Sequence, residues 1–325
     1  MNATHRPLRL GTRRSQLAMA QSGGVAEQVS RLTGRPVDLV EITTYGDVSR
    51  EALASIGGTG VFVSALRDAL LAGEIDLAVH SLKDLPTAEP EGLTLAALPT
   101  RADPRDVLVA RDGLTFERLT AEGPVRIGTG SPRRAAQLAA WARSLGRAVE
   151  TVPIRGNVDT RIGYVRSGEL DAVVLAAAGL HRLGRAGEIS EALSPDIMLP
   201  APGQGALAVE CAASDADLVT RLAALDDPHT RIAVTAERTV LATLEAGCSA
   251  PVGAYADVLP GDGGRYVTEL RLRGAVGTTD GTTLVQLSTT GPLPASPGEA
   301  AAVGRALAEE MLAKGAAGLM GEREH

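Results

Sequence analysis

The chain has 325 residues, 44% hydrophobic, 22% charged and 2% aromatic, with a formal net charge of -7. That length allows two or three domains with cores of their own; the acidic balance argues against general nucleic-acid binding, and so few aromatic residues argue against base-stacking platforms. No stretch approaches the roughly 20 apolar residues of a membrane span, and the N-terminal MNATHRPLRLGTRRSQLAMA lacks the apolar core of a signal peptide, so a cytoplasmic protein off the membrane is expected. The two cysteines, Cys211 and Cys248, fall in no ligand spacing, which predicts neither a disulfide nor a metal site.

In chain order, the apolar positions Leu17, Ala20, Val25, Val29 and Leu32 predict a helix from about Ser15, despite Gly23 and Gly24, and a strand follows near Val37 to Thr43. The stretch TTYGDVSREALASIGGTG reads as a long mobile loop of the kind that serves as a lid, with Gly57, Gly58, Thr59 and Gly60 at its end. A helix from Phe62 to Leu71 and a strand from Asp76 to His80 complete this half. RLGTRRSQLA at 9–18 is then echoed by RIGTGSPRRAAQLA at 126–139, and GEIDLAV at 73–79 by GELDAVV at 168–174. The repeat implies two similar α/β lobes with mainly parallel pairing.

The second lobe begins after RADPRD, with Ser131 as helix cap and Pro132 at the first helical position of a helix to about Leu145. PAPGQGALAVE returns the chain to the first lobe, so the lobes are expected to be joined by a hinge. From about Asp227 come a helix, strands at Leu270 to Val276 and Thr283 to Ser288, and a helix opened by the capping box Ser296 to Glu299, a small α+β part. The expected division is 1–104 with 201–225, then 105–200, then 226–325.

Two strand-to-helix turns carry anion-binding character: Arg13, Arg14 and Ser15 in one, Thr129, Ser131, Arg133 and Arg134 in the other. Helix N-termini present unpaired amides, and guanidiniums add bidentate recognition of carboxylate; Arg133 and Arg134, in the first turn of their helix, are expected to face the same solvent cleft. Solvated surface residues or salt bridges between lobes are the plain alternative. RGNVDTR at 155–161 adds Arg155, Asn157 and Arg161, whose alternative is a salt-bridged helix start. HSLKDLP puts Lys83 and Asp84 on a carboxyl-end loop, where a surface ion pair is the competing reading and His80 reads as structural. Cys248, in the Gly-flanked loop LEAGCSAPVG, is the better nucleophile, whereas Cys211 ends an apolar run as a buried small hydrophobe.

The ordered motifs RLGTRRSQLA, GGTGVFVSAL, DLAVHSLKDLP, DPRDVL, GTGSPRRAAQL, RGNVDTR, LAAAGLHRLG, LPAPGQGALAVE and TAERTVLATLEAGCSAPVG resemble the porphobilinogen deaminases (hydroxymethylbilane synthases) across nearly the whole chain. The resemblance implies two lobes like type II periplasmic binding proteins joined by a hinge, plus a small α+β C-terminal domain. It implies a deaminating transferase of haem and tetrapyrrole biosynthesis, which condenses four porphobilinogen molecules head to tail on a dipyrromethane cofactor attached to Cys248 by a thioether. Asp84 matches the catalytic carboxylate. Lys83, Asp84, Thr129, Ser131, Arg133, Arg134, Arg155 and Gly156 match cofactor-binding positions, and Arg13, Ser15, Arg155, Asn157, Arg161, Arg182 and Gln204 match substrate-binding ones. Gly57, Gly58, Thr59, Gly60 and Phe62 match the lid. A monomer followed by uroporphyrinogen III synthase is also implied. Thr59 and Ser55 stand where many members carry lysine, and Ala246 and Ala250 depart from the common pattern. The alternatives are a two-lobed binding protein for a small anionic ligand, and a cysteine-nucleophile transferase, which would want a histidine base near Cys248.

Overall fold

Strand β1 (Leu8–Thr12) buries Leu8 and Leu10 and runs into α1 (Gln16–Thr33), where Ser15 caps the helix by accepting the Ala18 N–H at 3.3 Å. Gly23 and Gly24 leave α1 unbroken; it ends where Gly34 takes the left-handed conformation that favours glycine. Next come β2 (Val37–Glu41), α2 (Gly60–Leu71), β3 (Leu77–Ser81), a 3-10 turn at Leu82–Asp84, and β4 (Leu93–Ala97). The computed structural model describes residues 6–43, 60–121, 123–247, 250–260 and 267–320, at 60–62 by backbone alone.

The chain continues through β5 (Asp106–Ala110), α3 (Phe116–Ala121), β6 (Val125–Thr129), α4 (Pro132–Ser144), β7 (Val149–Pro153), α5 (Val158–Arg166), β8 (Ala172–Ala176), α6 (Ala177–Arg182) and β9 (Glu191–Ala192). It then forms β10 (Leu207–Ala212), α7 (Ala216–Leu222), α8 (Pro228–Thr243), β11 (Val252–Pro260), β12 (Val267–Gly277), β13 (Leu284–Pro292) and α9 (Pro297–Ala313). These elements form two compact units, Met1–Ala102 with Ala206–Arg231 and Asp103–Gly205 with Ile232–His325.

The first unit holds the sheet β2-β1-β3-β10-β4, in which β1 is parallel to β2 and β3 while β10 is antiparallel to β3 and β4. The second repeats the plan as β7-β6-β8-β5-β9, with β6 parallel to β7 and β8 and β5 antiparallel to β8 and β9. The two-lobed α/β fold implied by the repeated motifs is therefore present, but the expectation of mainly parallel pairing is corrected: half the pairings in each sheet are antiparallel. The reason lies in the connections. β5 and β10 each enter their sheet directly after the chain has changed unit, without the crossover helix that a parallel neighbour requires.

The second unit also contains the three-stranded sheet β11-β12-β13, antiparallel throughout. Its strands run beyond the predicted limits, and β11 is an addition that the expected α+β part lacked. Leu270 and Leu272 pack with Val240 of α8 and Leu307 and Met311 of α9, each fully buried side chain worth about 2 kcal/mol of removed apolar surface. Ser296 accepts the Glu299 N–H at 3.2 Å, and the Glu299 carboxylate accepts the Ala295 N–H at 2.9 Å, so the capping box closes one residue earlier than the usual pattern.

Candidate active site

In the first unit, the parallel register of β1 and β3, with Leu10 opposite Leu77 and Gly11 opposite Ala78, brings the carboxyl ends of both strands to one edge. Arg13 and Ser15 follow β1, and Lys83 and Asp84 follow β3. The 3-10 turn is held at both ends: the Leu82 N–H donates to the Ala206 carbonyl at 3.0 Å and the Leu85 N–H to the Leu82 carbonyl at 3.1 Å. Leu82 and Leu85 are buried, so Lys83 and Asp84 are left half-buried on a turn pinned from below. The Ser15 oxygen is engaged as the α1 cap. Gly57, Gly58, Thr59 and Ser55 lie outside the described residues; Gly60 opens α2 and Phe62 stands in its first turn.

Beneath this edge lies a buried charged cluster. Glu210 on β10 accepts from Arg67 Nε at 3.1 Å and from Arg67 Nη2 at 2.7 Å. His80 Nε2 stands 3.1 Å from the same carboxylate without the alignment of a hydrogen bond. Burial pushes the Glu210 carboxyl up, but His80 and Arg67 outweigh it and hold the group at about 2.

In the second unit, β6 ends at Thr129 and the chain turns through Gly130 into α4. The Thr129 hydroxyl accepts the Ser131 N–H at 3.2 Å, the Ser131 hydroxyl faces the Arg134 N–H at 3.5 Å as cap, and Pro132 takes the first helical turn. Gly130 is required by space: a Cβ there would lie 2.5 Å from the Ile154 carbonyl oxygen.

The expectation that Arg133 and Arg134 face solvent is corrected. They are 3% and 5% exposed and converge on Asp106, which is wholly buried. Arg133 Nη1 donates to Asp106 Oδ2 at 2.6 Å, and Arg134 Nε and Nη2 donate to Oδ1 at 3.0 and 2.8 Å. A carboxylate enclosed at the head of an apolar strand demands such compensation. Burial would raise its pKa, but the charges of Arg133 and Arg134 drive it well below the carboxylate range.

Asn157 caps α5 by accepting the Thr160 N–H at 2.9 Å, after Gly156 with φ 103°. Arg161 Nε donates to the Gly156 carbonyl at 2.9 Å, and its pKa is lowered by burial first and by the charge of Arg134 second. Arg155 is exposed. Arg182 Nη2 donates to the Gly205 carbonyl at 2.7 Å, and burial lowers its pKa. Gln204 is 1% exposed, its amide donating to the Pro104 carbonyl at 2.7 Å and to Asp106 Oδ1 at 2.9 Å. Cys248 lies outside the described residues, in the segment between α8 and β11. Among the described residues no His, Cys, Asp and Glu group suited to a metal ion occurs, and no helix is long and apolar enough to cross a membrane.

The sequence reading passed over Asp106 and Glu210. A signal was available: each is a lone acid in a strand that is otherwise apolar, DVLVA and LAVECA, and a buried carboxylate needs a cation brought from elsewhere.

Residues 8–220 match the family model for the dipyrromethane cofactor binding domain of porphobilinogen deaminase, and residues 231–313 the one for its C-terminal domain. Porphobilinogen deaminase 1 of Streptomyces avermitilis is 75% identical over 321 residues, 98% of each chain. Porphobilinogen deaminase 1 of Streptomyces coelicolor is 71% identical over 320 residues, 98% of this chain and 99% of that one. Porphobilinogen deaminase of Thermobifida fusca is 57% identical over 314 residues, 95% of this chain and 94% of that one. A TctC solute-binding protein from Polaromonas aligns over 69% of this chain and 84% of its own at 15% identity and a TM-score of 0.41, which adds nothing to the strand orders above. The chain belongs to the porphobilinogen deaminase family, deaminating transferases of tetrapyrrole biosynthesis that carry a dipyrromethane cofactor.

Proposed function

We propose that the family's condensation is divided here among three parts of the chain: 1–104 with 201–225 supply the catalytic carboxylate Asp84, 105–200 the cations that grip carboxylates, and 226–325 the cofactor cysteine Cys248. The observation that carries the reading is Arg133 Nε, buried without a hydrogen-bond partner on a guanidinium whose Nη1 is already fixed by Asp106. An orphaned cationic donor at that depth is unfavourable until an acceptor completes it. Arg161 stands close enough to Arg134 for its pKa to be lowered by that charge, so a third guanidinium lies near the pair that Asp106 holds. Such a set fits a dipyrromethane, whose pyrroles carry acetate and propionate side chains.

Arg133, Arg134, Arg155 and Arg161 would hold those carboxylates, on turns shaped by Thr129, Ser131 and Gly156. When bound through the Cys248 thioether, the cofactor supplies the pyrrole end to which each porphobilinogen is joined. Arg13, Ser15, Asn157 and Arg182 bind the carboxylates of incoming substrate. Asp84 protonates the departing amine and, once ionised, stabilises positive charge developing on the pyrrole, with Lys83 beside it. Its position on a pinned turn at the carboxyl end of β3 supports that role. Gly57, Gly58, Thr59, Gly60 and Phe62 serve as the lid. The net charge of -7 is compatible with a local cationic set, since the field at a site follows its nearest charges. The enzyme is read as a cytoplasmic monomer whose product passes to uroporphyrinogen III synthase. The noncatalytic binding-protein alternative has a likeness of fold alone behind it.

Asp84→Ala tests the assignment. It should keep the covalent primer once that has formed and lose about 100-fold or more in porphobilinogen turnover, the range of a lost general acid. A wild-type rate would remove Asp84 from the mechanism.

A further inference from the structure

Asp106 is bonded through both carboxylate oxygens. Oδ1 accepts from Arg134 Nε and Nη2 and from Gln204 Nε2, and Oδ2 accepts from Arg133 Nη1, all between 2.6 and 3.0 Å. Arg133 and Arg134 are adjacent in sequence, and bare guanidiniums so close repel each other. A carboxylate spanning them leaves one net positive charge and fixes where the remaining donors point. The segment that delivers Gln204 is tied to the same centre: Arg133 Nη1 also donates to the Leu199 carbonyl at 2.6 Å, and Gln137 accepts the Leu199 N–H at 2.7 Å. Further along, the Gly203 N–H donates at 2.7 Å to Glu237, which also accepts the Ala256 N–H at 2.9 Å. The segment 199–204 and the first turn of α4 are therefore organised around one buried acid.

We propose that Asp106 is a positioning residue for the reaction, presenting Arg133 and Arg134 as a single pre-oriented cation toward the carboxylates of the cofactor, and that Gln204 acts through Asp106 instead of touching substrate. The inference rests on the anion-binding reading of Arg133 given above. Its physical content is preorganisation: donors locked during folding lose little freedom when the anion arrives.

The full-length chain, produced in cells that make no porphobilinogen, is incubated with porphobilinogen and followed by intact mass, alongside Asp106→Asn and Gln204→Leu. Asp106→Asn should acquire the covalent adduct about tenfold more slowly and, once loaded, show KM raised about tenfold with kcat within about twofold, the size of effect expected on losing a charge-assisted hydrogen bond. Gln204→Leu should move KM the same way by about threefold, since it removes one neutral donor from the same carboxylate. Folded Asp106→Asn with wild-type loading and KM, whatever its melting temperature, overturns the proposal. Should Asp106→Asn not fold, Gln204→Leu decides, and wild-type loading and KM in it overturn the proposal equally. A wild-type chain that gains no mass brings down the anion-site reading itself, and a loading wild type with unaffected variants brings down this inference alone.

Discussion

Asp171 accepts the backbone N–H of Arg126 at 2.8 Å and returns its own N–H to the Arg126 carbonyl at 3.0 Å. Asp76 and Arg9 repeat the exchange in the first unit, at 2.8 Å in both directions. The echoed segments thus meet each other within each unit: the aspartate of the Gly-Glu-x-Asp turn sets the first strand in register with the one that follows. Gly11 and Gly128 on those strands leave room for Ile75 and Leu170, whose methyl groups lie 2.3 and 2.6 Å from where a Cβ would stand.

Removing either aspartate should loosen its own sheet. The Asp76 side chain is 11% exposed and also pairs with Arg6 and Arg9, whereas the Asp171 side chain is 28% exposed. Asp76→Ala is expected to cost about 2 kcal/mol and Asp171→Ala about 1 kcal/mol, by denaturant titration. Hydrogen exchange should quicken in β1–β3 for the first variant and in β6–β8 for the second; equal loss in both sheets would contradict the assignment.

Glu210 makes the first unit sensitive to acid. Its carboxyl is held at about 2 against an ordinary glutamate value of 4.5, so its contribution is complete above about 4.5 and is lost as pH falls toward 2. The Asp76 carboxyl is likewise lowered, burial being outweighed by hydrogen bonds from Arg9 and Arg6, and acts in the same direction. Glu210→Gln should lower stability at pH 7 by about 2 kcal/mol, since it leaves the partly buried Arg67 with its partner charge removed. It should also flatten the decline in stability between pH 4.5 and 2, and an unchanged slope there would refute the linkage.

Cys211 should be inert. Burial first, then the nearby carboxylates of Asp215 and Glu210, push its thiol up to about 11, and it is fully buried on β10. Iodoacetamide at pH 8 should therefore leave Cys211 unmodified in the native protein and alkylate it after denaturation. Native labelling at Cys211 would show that β10 opens.

The sequence disclosed what is local. Ser15, Ser131 and Asn157 each cap the helix that follows them because a cap is decided within four residues. The echo disclosed two lobes of one design for the same reason. The antiparallel entry of β5 and β10 was hidden, because nothing in DVLVA or LAVECA says which strands will flank them. The burial of Arg133 and Arg134 was hidden too: their partner lies 27 and 28 positions away, and Glu210 finds Arg67 across 143. From the sequence alone, an arginine pair at a helix start resembles an exposed anion site until the acid that folds over it is located.

Gly130 links the turn to the site. Gly130→Ala would press a methyl group against the Ile154 carbonyl 2.5 Å away and displace the start of α4 that carries Arg133 and Arg134. A cost of about 2 kcal/mol in stability and slower acquisition of the cofactor are expected. Gly304→Ala makes a comparable clash, 2.4 Å from the Ala236 carbonyl between α8 and α9, and should lower the melting temperature without slowing acquisition. Equal acquisition by both variants would sever the turn from the site.

The most direct test is the intact mass of the wild-type chain and of Cys248→Ser after exposure to porphobilinogen. The wild type should carry a covalent pyrrole adduct that colours with acid aldehyde reagent. Cys248→Ser should fold, remain colourless at its sequence mass and show no turnover. A wild type that stays at its unmodified mass, or a serine variant that gains the adduct and turns over normally, would contradict the account.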